Sequence, residues 1–420
     1  MKILYVTDSF PPEGIGGAGQ VVFDMAKGMI ARGHDVHILS VTIHQENIGT
    51  TEYESIPVKR ISSSEKSQFF RSYRAAYNPF IKNSFSEALK EINPDIVHFH
   101  NIHEHFSFTA LRWASKTGAA VFITLHDTLS FSYTRLYHFI DPNDPHQQGP
   151  FNYHVSWKFS LQQVGKAFNP FRNWSIRRSL AHAHTIFSVS NALKDALEQN
   201  RIHNVTTLYN GIDCGEFTAS EEETNALRSQ LNLGNKKVIL FGGRAMQDKG
   251  AEIIISTLPM IVKQCPDTVL VMATEQGGYQ ERLRSMAREL GIEDVVVFTE
   301  LFHGRERAAL FSLASLVVVP SIYFDPAPLM VMQAMAAGKP VVGTCFGGTP
   351  EIIEDGKTGY VINPFNTQLL VDRTSELLHD PALAHEMGEA GKKRIFDHFL
   401  LEQQLDRVIA FYEKASLPQE

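Results

Sequence analysis

A chain of 420 residues is too long for one ordinary core and predicts two domains of roughly 200 residues each. Its 43% hydrophobic and 20% charged content describes a soluble globular protein, and no apolar run reaches the roughly 18 residues of a membrane span. A net charge of −7 argues against a nucleic-acid binder working through its whole surface, and Cys214, Cys265 and Cys345, scattered and without metal-ligand spacing, fit a reducing cytoplasm.

The opening MKILYVTDSF turns polar after about five apolar residues and has no cleavage pattern, so it reads as a buried strand, not a signal peptide. Short β-branched runs then alternate with helix-period segments: KILYVT, DVHILSV, IPVKRI, DIVHFH, AAVFITL and HTIFSV in the first half, and KKVILFG, DTVLVMA, VVVFT, LVVVP, KPVVG and YVI in the second. Continuous apolar strands of this kind predict parallel sheets covered on both faces. In the first crossover helix Val21, Val22, Met25, Ala26, Met29 and Ile30 form one stripe, and Gly33 stops it. The pattern restarts near residue 236, after the polar stretch TASEEETNALRSQLNLGNKK. The expected fold is α/β: two doubly wound, Rossmann-like domains, 1–205 and 206–400, with a helix over about 400–420 as the candidate to pack back on the first. Ligands of such sheets sit at the carboxyl ends of the strands, and a cleft between two domains is the default site.

In chain order, the first constellation is EGIGGAG, residues 13–19, where Gly14, Gly16 and Gly19 match G-x-G-x-x-G. The preceding PPE lengthens the turn, and strand two ends in Leu39-Ser40-Val41-Thr42 without an acid for a ribose. Both disfavour a nicotinamide cofactor; a loop admitting a polar group to a helix N-terminus remains, against a merely flexible turn. In HFHNIHEHF, His98 and His100 share one face of a strand while His103 and His105 lie in a loop, a poor set for a metal, and no metal site is expected. TLHD, residues 124–127, places His126 at a strand end, as a site residue or as a structural histidine.

From Pro145 to Lys194 there is no Asp or Glu, and cations interleave with aromatics in WKFSLQQVGKAFNPFRNWSIRRSL; KSQFFRSYRAAYNPFIK, residues 66–82, is similar. Such composition suits an anionic membrane surface or a phosphorylated acceptor, against the plainer reading of core aromatics and solvated charges. In FGGRAMQDKG, residues 241–250, Arg244 and Lys249 stand at the mouth of a strand and suit a diphosphate. In YFDPAPLMVMQAMAAGKP, Asp325 either caps a helix that begins at Pro326 or belongs to a site. Amides of Ala327, Leu329 and Met330 would then face an anion, and Gln333 would lie about 12 Å along the helix.

Together FPPEGIGGAGQVV, TLHD, FSVSNALKDAL, LYNGIDCGEF, GGRAMQDKG, VVFTELFHGRERAALFSLASLVVVPS and AMAAGKPVVGTCFGGTPEIIEDGKTGYVINP, in this order, resemble the retaining GT-B glycosyltransferases of the group 1, family 4 type. The resemblance implies two facing domains, with a nucleotide-sugar, UDP-sugar favoured, held mainly by the second and a glycan or lipid-linked acceptor by the first. It implies that Arg244 and Lys249 neutralise the donor diphosphate and that backbone near Leu301 reads the base. His126 then lies beside the transferring sugar, and Gly16 and Gly17 line the phosphate-facing loop. The family pattern has two glutamates eight positions apart; here these are Asp325, a candidate catalytic residue, and Gln333, a neutral ribose contact. Ala327-Pro328 replaces Phe-Gly, and Pro328 removes an amide donor. The implied reaction is hexosyl transfer with retention, without cofactor or required metal, in polysaccharide or glycolipid synthesis; the cysteine usage adds the expectation of a cytoplasmic setting, and the basic, aromatic stretches that of peripheral docking on the inner face of the membrane. Two other readings stand beside it: an epimerase or NAD-dependent enzyme on a similar fold, and a non-catalytic nucleotide-sugar-binding protein.

Overall fold

The computed structural model describes residues 1–14, 16–63, 70–243 and 246–416. These form two compact units: Met1–Leu136 with Asn152–Gly211 and the segment from Leu401, and Tyr137–Phe151 with Ile212–Leu400.

The first unit holds β1 (Lys2–Thr7), β2 (Asp35–Thr42), β3 (Gly49–Tyr53), β4 (Ile56–Ser62), β5 (Ile96–His100), β6 (Ala120–Leu125), β7 (Thr185–Ser188) and β8 (Val205–Thr207). They lie in the order β3-β4-β2-β1-β5-β6-β7-β8, so the winding reverses between β1 and β5. All pairs are parallel except β3 with β4, a hairpin turned at Glu54 and Ser55, both with positive φ. No apolar run marks β3: its sequence, GTTEY, is polar and largely solvent-facing. In register, Tyr5 stands opposite His98 and Thr7 opposite His100.

The helix Gly17–Ala31 buries Val21, Val22, Met25, Ala26 and Met29, and Gly33, at φ 81°, follows its end as expected. Ile30, assigned to the same stripe by its spacing, is instead exposed. The C-terminal helix Leu401–Ser416 packs on this helix within the first unit. Gly28 permits the contact, since a Cβ there would stand 2.3 Å from Leu405 Cδ1. Arg32 adds ion pairs to Glu402 and, at 3.0 Å, to Asp406.

The second unit holds β9 (Lys237–Gly243), β10 (Thr268–Thr274), β11 (Val296–Thr299), β12 (Leu316–Val319), β13 (Val341–Thr344) and β14 (Gly359–Ile362), all parallel. Their order, β11-β10-β9-β12-β13-β14, is the doubly wound arrangement with its reversal between β9 and β12. Burial of all seven β10 residues explains why such strands read as unbroken apolar runs. The core joins Ile239, Leu270, Met272 and Val318 to Ile254 and Leu258 of the helix Ala251–Gln264.

Residues 137–151, inserted in sequence between β6 and β7, belong to this second unit. Phe139 contacts Phe324 and Phe346, and Asn363 Nδ2 donates to the carbonyls of Asp144 and Gln147 at 3.1 and 3.3 Å. A single division at 205/206 makes no provision for this excursion.

Candidate functional site

At the winding reversal of the second unit, β9 leads into a turn containing Lys249 and β12 into a loop containing Asp325. Lys249 Nζ lies 2.7 Å from Asp325 Oδ2, which also accepts from Ser321 Oγ at 3.2 Å. Burial works against the ammonium charge, but Asp325 and Tyr323 outweigh it and hold the Lys249 pKa above its ordinary value. Lys249 also sits 5.2 Å from the centroid of the Tyr323 ring. An ammonium has three donors, so the pair leaves Lys249 able to meet an incoming anion, and the described hydrogen bonds to the Asp325 carboxylate are to Oδ2. Arg244, the other predicted cation, lies outside the described residues.

Backbone contacts lock these loops together. Ile322 N–H donates to Asp248 O at 2.9 Å, and Gly348 N–H to Asp325 O at 2.9 Å. Gly347, at φ 76°, passes so close that a Cβ would stand 2.1 Å from Asp325 O. Gly250, at φ 79°, is similarly tight against Pro320 O.

Asp325 is not a helix cap. The helix runs Leu329–Ala336, its N-cap is Pro328 in extended backbone, and no side chain caps it. Pro328 disfavours α geometry at Ala327, which moves the helix start from Pro326 to Leu329. Ala327 is therefore not a first-turn donor, and the 12 Å estimate, which assumed helix from Asp325 onward, does not apply. Leu329 and Met330 contribute the first-turn amides, while Val331 N–H is already bound to Pro328 O at 3.0 Å. Met330 lies over the end of β9, where its Cε would be 3.0 Å from a Cβ on Gly242. Gln333 is half-buried between Val331–Met332 and Ala334–Met335, all buried, so it is the polar position of an otherwise core-facing segment. Leu301 lies half-buried in the loop after edge strand β11, where Gln276 Nε2 donates to neighbouring Glu300 at 2.6 Å.

In the first unit, β5 and β6 end in a row of imidazoles. His98 and His100 share a face, as alternation predicts, with ring centroids 4.3 Å apart. His100 Nδ1 lies 2.9 Å from His126 Nε2. His98 hydrogen-bonds Thr124 Oγ1 at 2.8 Å and Tyr412 OH at 2.5 Å. Burial pulls His98 to about 3 and His126 to about 4, the latter despite Asp127, and holds His100 well below the ordinary range. All three are neutral at pH 7, so His126 can donate or accept a hydrogen bond but is a weak base.

The following loop is held from within. Asp8 accepts from the amides of Glu104, His105 and Phe106 at 2.6, 3.0 and 2.8 Å, and His105 Nδ1 lies 2.7 Å from Ser63 Oγ. Among the described residues no group of His, Cys, Asp or Glu is arranged to hold a metal ion. In the glycine loop, packing forces Gly14, where a Cβ would stand 2.5 Å from Ser9 Cβ, and leaves Gly19 tight, where it would stand 3.1 Å from Gly14 O. Gly16 faces open space and precedes the helix Gly17–Ala31, whose N-terminus has no side-chain cap.

Sequence reasoning missed Ser321 and Tyr323, which set the Lys249–Asp325 pair, and Tyr412, which ends the imidazole row. Tyr323 opens the stretch YFDPAPLMVMQAMAAGKP and Ser321 stands two residues before it, whereas Tyr412 carries no local signal.

The family "Glycosyl transferases group 1" matches residues 223–394, and "Glycosyltransferase Family 4" matches 15–216. Spore coat protein SA of Bacillus subtilis is 27% identical over 219 residues, 50% of this chain and 58% of its own, so that match spans little more than half of the relative. An uncharacterized glycosyltransferase of Methanocaldococcus jannaschii is 26% identical over 427 residues, covering 99% of this chain and 98% of its own. Among solved structures, Anabaena HepE in complex with UDP superposes with a TM-score of 0.71 at 19% identity, covering 99% of this chain and all of that one.

Proposed function

Because the chain belongs to the group 1 glycosyltransferases and has their GT-B fold, we propose that it moves a hexose, with retention, from a nucleoside diphosphate donor to a hydroxyl of a glycan or lipid-linked acceptor, in polysaccharide or glycolipid synthesis. The observation that carries this reading is the Lys249–Asp325 pair at the winding reversal of the second sheet, beside the first-turn amides of Leu329 and Met330.

Lys249, with Arg244, takes the negative charge that grows on the leaving diphosphate, and the Leu329 and Met330 amides add dipoles of the same sign. Asp325 accepts a hydrogen bond from a donor-sugar hydroxyl. Gln333 holds a ribose hydroxyl, backbone at Leu301 meets the base, and Gly16 and Gly17 admit the phosphates. His126, neutral, hydrogen-bonds the sugar without abstracting its proton. The anomeric carbon's bond to the diphosphate oxygen breaks while its bond to the acceptor oxygen forms on the same face. The acceptor's proton passes to the leaving phosphate, so no strong protein base is required and positioning accounts for most of the acceleration. With two cations supplied by the chain, the reaction needs neither cofactor nor added divalent ion. The solved relative's complex with UDP supports a uridine donor as the first to try. Three free cysteines agree with a cytoplasmic setting.

The test is a panel of nucleotide-sugars, with and without chelator, scored by nucleotide release and by the anomeric configuration of the product. Release from one donor, unaffected by chelator and with retained configuration, is expected. Thermal stabilisation by a nucleotide-sugar with no release, even with acceptor extracts, would make the chain a binding protein instead.

A further inference from the structure

The two acid-free stretches of the first unit, far apart in sequence, lie side by side in the fold. The helix Arg71–Ala76 packs on the helix Arg172–Leu180. Ser72 Oγ donates to Ala167 O at 2.5 Å and Ser175 Oγ to Ala76 O at 3.4 Å. Five aromatics on these stretches are not core: Phe80 is 82% exposed, Phe171 72%, Trp157 63%, Trp174 57% and Tyr77 51%. Trp157 and Leu161 fall one helical turn apart on the helix Trp157–Val164, and Phe171 and Trp174 do so at the start of the next helix. Solvating this many large rings on neighbouring segments is unfavourable, and exposed apolar surface of this extent marks a docking surface.

Its charge identifies the occupant. Lys158, Lys166 and Arg178 are exposed among the rings, with Lys158 over Trp157 and Arg178 over Trp174 at 5.9 and 5.6 Å. No Asp or Glu occurs between Pro145 and Lys194, although the chain as a whole carries −7. Arg71 is offset by Glu104 at 3.1 Å and is not counted. Arg172, the buried cation, is committed to Leu129 O and to Asn173 Oδ1 at 2.7 Å, beneath the Tyr133 ring. A small phosphorylated ligand needs several convergent buried donors, and Arg172, with Nη1 and Nη2 committed, has only its Nε to spare. Splayed indole and phenyl rings among exposed cations suit an extended, negatively charged, apolar-cored partner: the surface of an anionic bilayer.

We propose that the helices Trp157–Val164 and Arg172–Leu180, with the segment 71–82, form a peripheral docking surface for anionic lipid. It seats the first unit at the interface without crossing it, and no described helix is long and apolar enough to cross. The surface stands independently of the donor chemistry proposed above, but it gives that reaction a reason to take a lipid-linked acceptor.

The test is co-sedimentation of the full chain with vesicles of mixed phosphatidylglycerol and phosphatidylcholine, and with phosphatidylcholine alone. Binding to the anionic vesicles at low salt is expected, with loss in high salt and none on the neutral ones. Lys158→Glu and Arg178→Glu should each weaken partition about fivefold or more. The combined Trp157→Ser, Phe171→Ser and Trp174→Ser variant should lose it by about tenfold or more at unchanged melting temperature. Three results would overturn the proposal: a chain that stays in the supernatant at low salt, equal binding to neutral vesicles, or a concentration-dependent dimer that the aromatic variant abolishes while vesicles bind nothing. Donor turnover in solution is read separately, so failure of docking and failure of the transferase reading are distinguishable.

Discussion

At the carboxyl ends of β5 and β6 the first unit gathers His98, His100 and His126, whereas beyond β9 and β12 the second gathers Lys249 and Asp325. Both groups sit where doubly wound sheets present side chains to ligands, yet their electrostatics are opposite. In the first, burial acts on imidazoles whose neighbours are mostly other imidazoles and hydroxyls, and it outweighs the one carboxylate, Asp127, that acts on His126, so the row stays neutral. In the second, the same desolvation is overcome by an opposite charge 2.7 Å away, so a cation persists. A neutral row of donors and acceptors suits sugar hydroxyls, and a held cation suits phosphate. The roles proposed for His126 and Lys249 follow from that contrast.

The strongest way to break the comparison is to remove the cation. Lys249→Met should lower kcat/KM for donor breakdown by about 10²–10³-fold, the cost of losing one preorganised charge-stabilising group. A lowered melting temperature with turnover intact would make the pair structural only.

Next in size is the clamp on Asp325. Gly347→Ala places a methyl against Asp325 O at positive φ, and should destabilise the chain by roughly 3 kcal/mol in denaturant titration. Gly16→Ala, facing open space, should cost less than about 1 kcal/mol in the same assay.

The neutral row predicts an acid-sensitive first unit. An unfolded imidazole takes its proton near pH 6.5, whereas folded His98 and His126 do so only near 3 and 4, so the unfolded state holds more protons in between. Stability is complete above pH 6.5 and falls as pH drops, by roughly 1.4 kcal/mol per pH unit for each histidine. Melts at pH 7 and pH 5 should show this, and His98→Gln should flatten the dependence by about one imidazole's share. An unchanged slope would mean that the row is not neutral.

The smallest effect sharpens the second unit. Gln333→Glu restores a charged acceptor for a ribose hydroxyl and should tighten donor binding by about 1 kcal/mol, tenfold or less, by calorimetry. No change would remove Gln333 from the donor site.

Legibility in the sequence followed the range of the interactions. Strands buried on both faces announce themselves, because burial favours apolar residues on both faces, as in the VLVMA run within TVLVMAT of β10. Hairpin strand β3 does not, because GTTEY faces solvent and is held by backbone pairing to β4. Lys249 and Asp325 were each recognisable locally, one by a glycine turn and one by its place before an apolar helix. Their ion pair was not, because 76 residues separate them. The cap reading of Asp325 failed on a local detail, the effect of Pro328 on Ala327, which delays the helix by one turn.

The sequence by itself determined the two parallel-sheet units, the glycine turns after β1 and β9, and the residue types at the strand ends, since periodicity and turn chemistry are local. Only the tertiary structure decided which of those residues meet. Tyr412, 314 residues from His98, reaches it because Gly28 lets the last helix lie against the helix Gly17–Ala31. Residues 137–151 joined the second unit because Phe139 finds Phe324 and Phe346 there. Asp325 became the partner of a cation because two loops from neighbouring strands are laced together by their backbones. Such contacts depend on close packing between distant segments, and packing leaves no period in the chain to read.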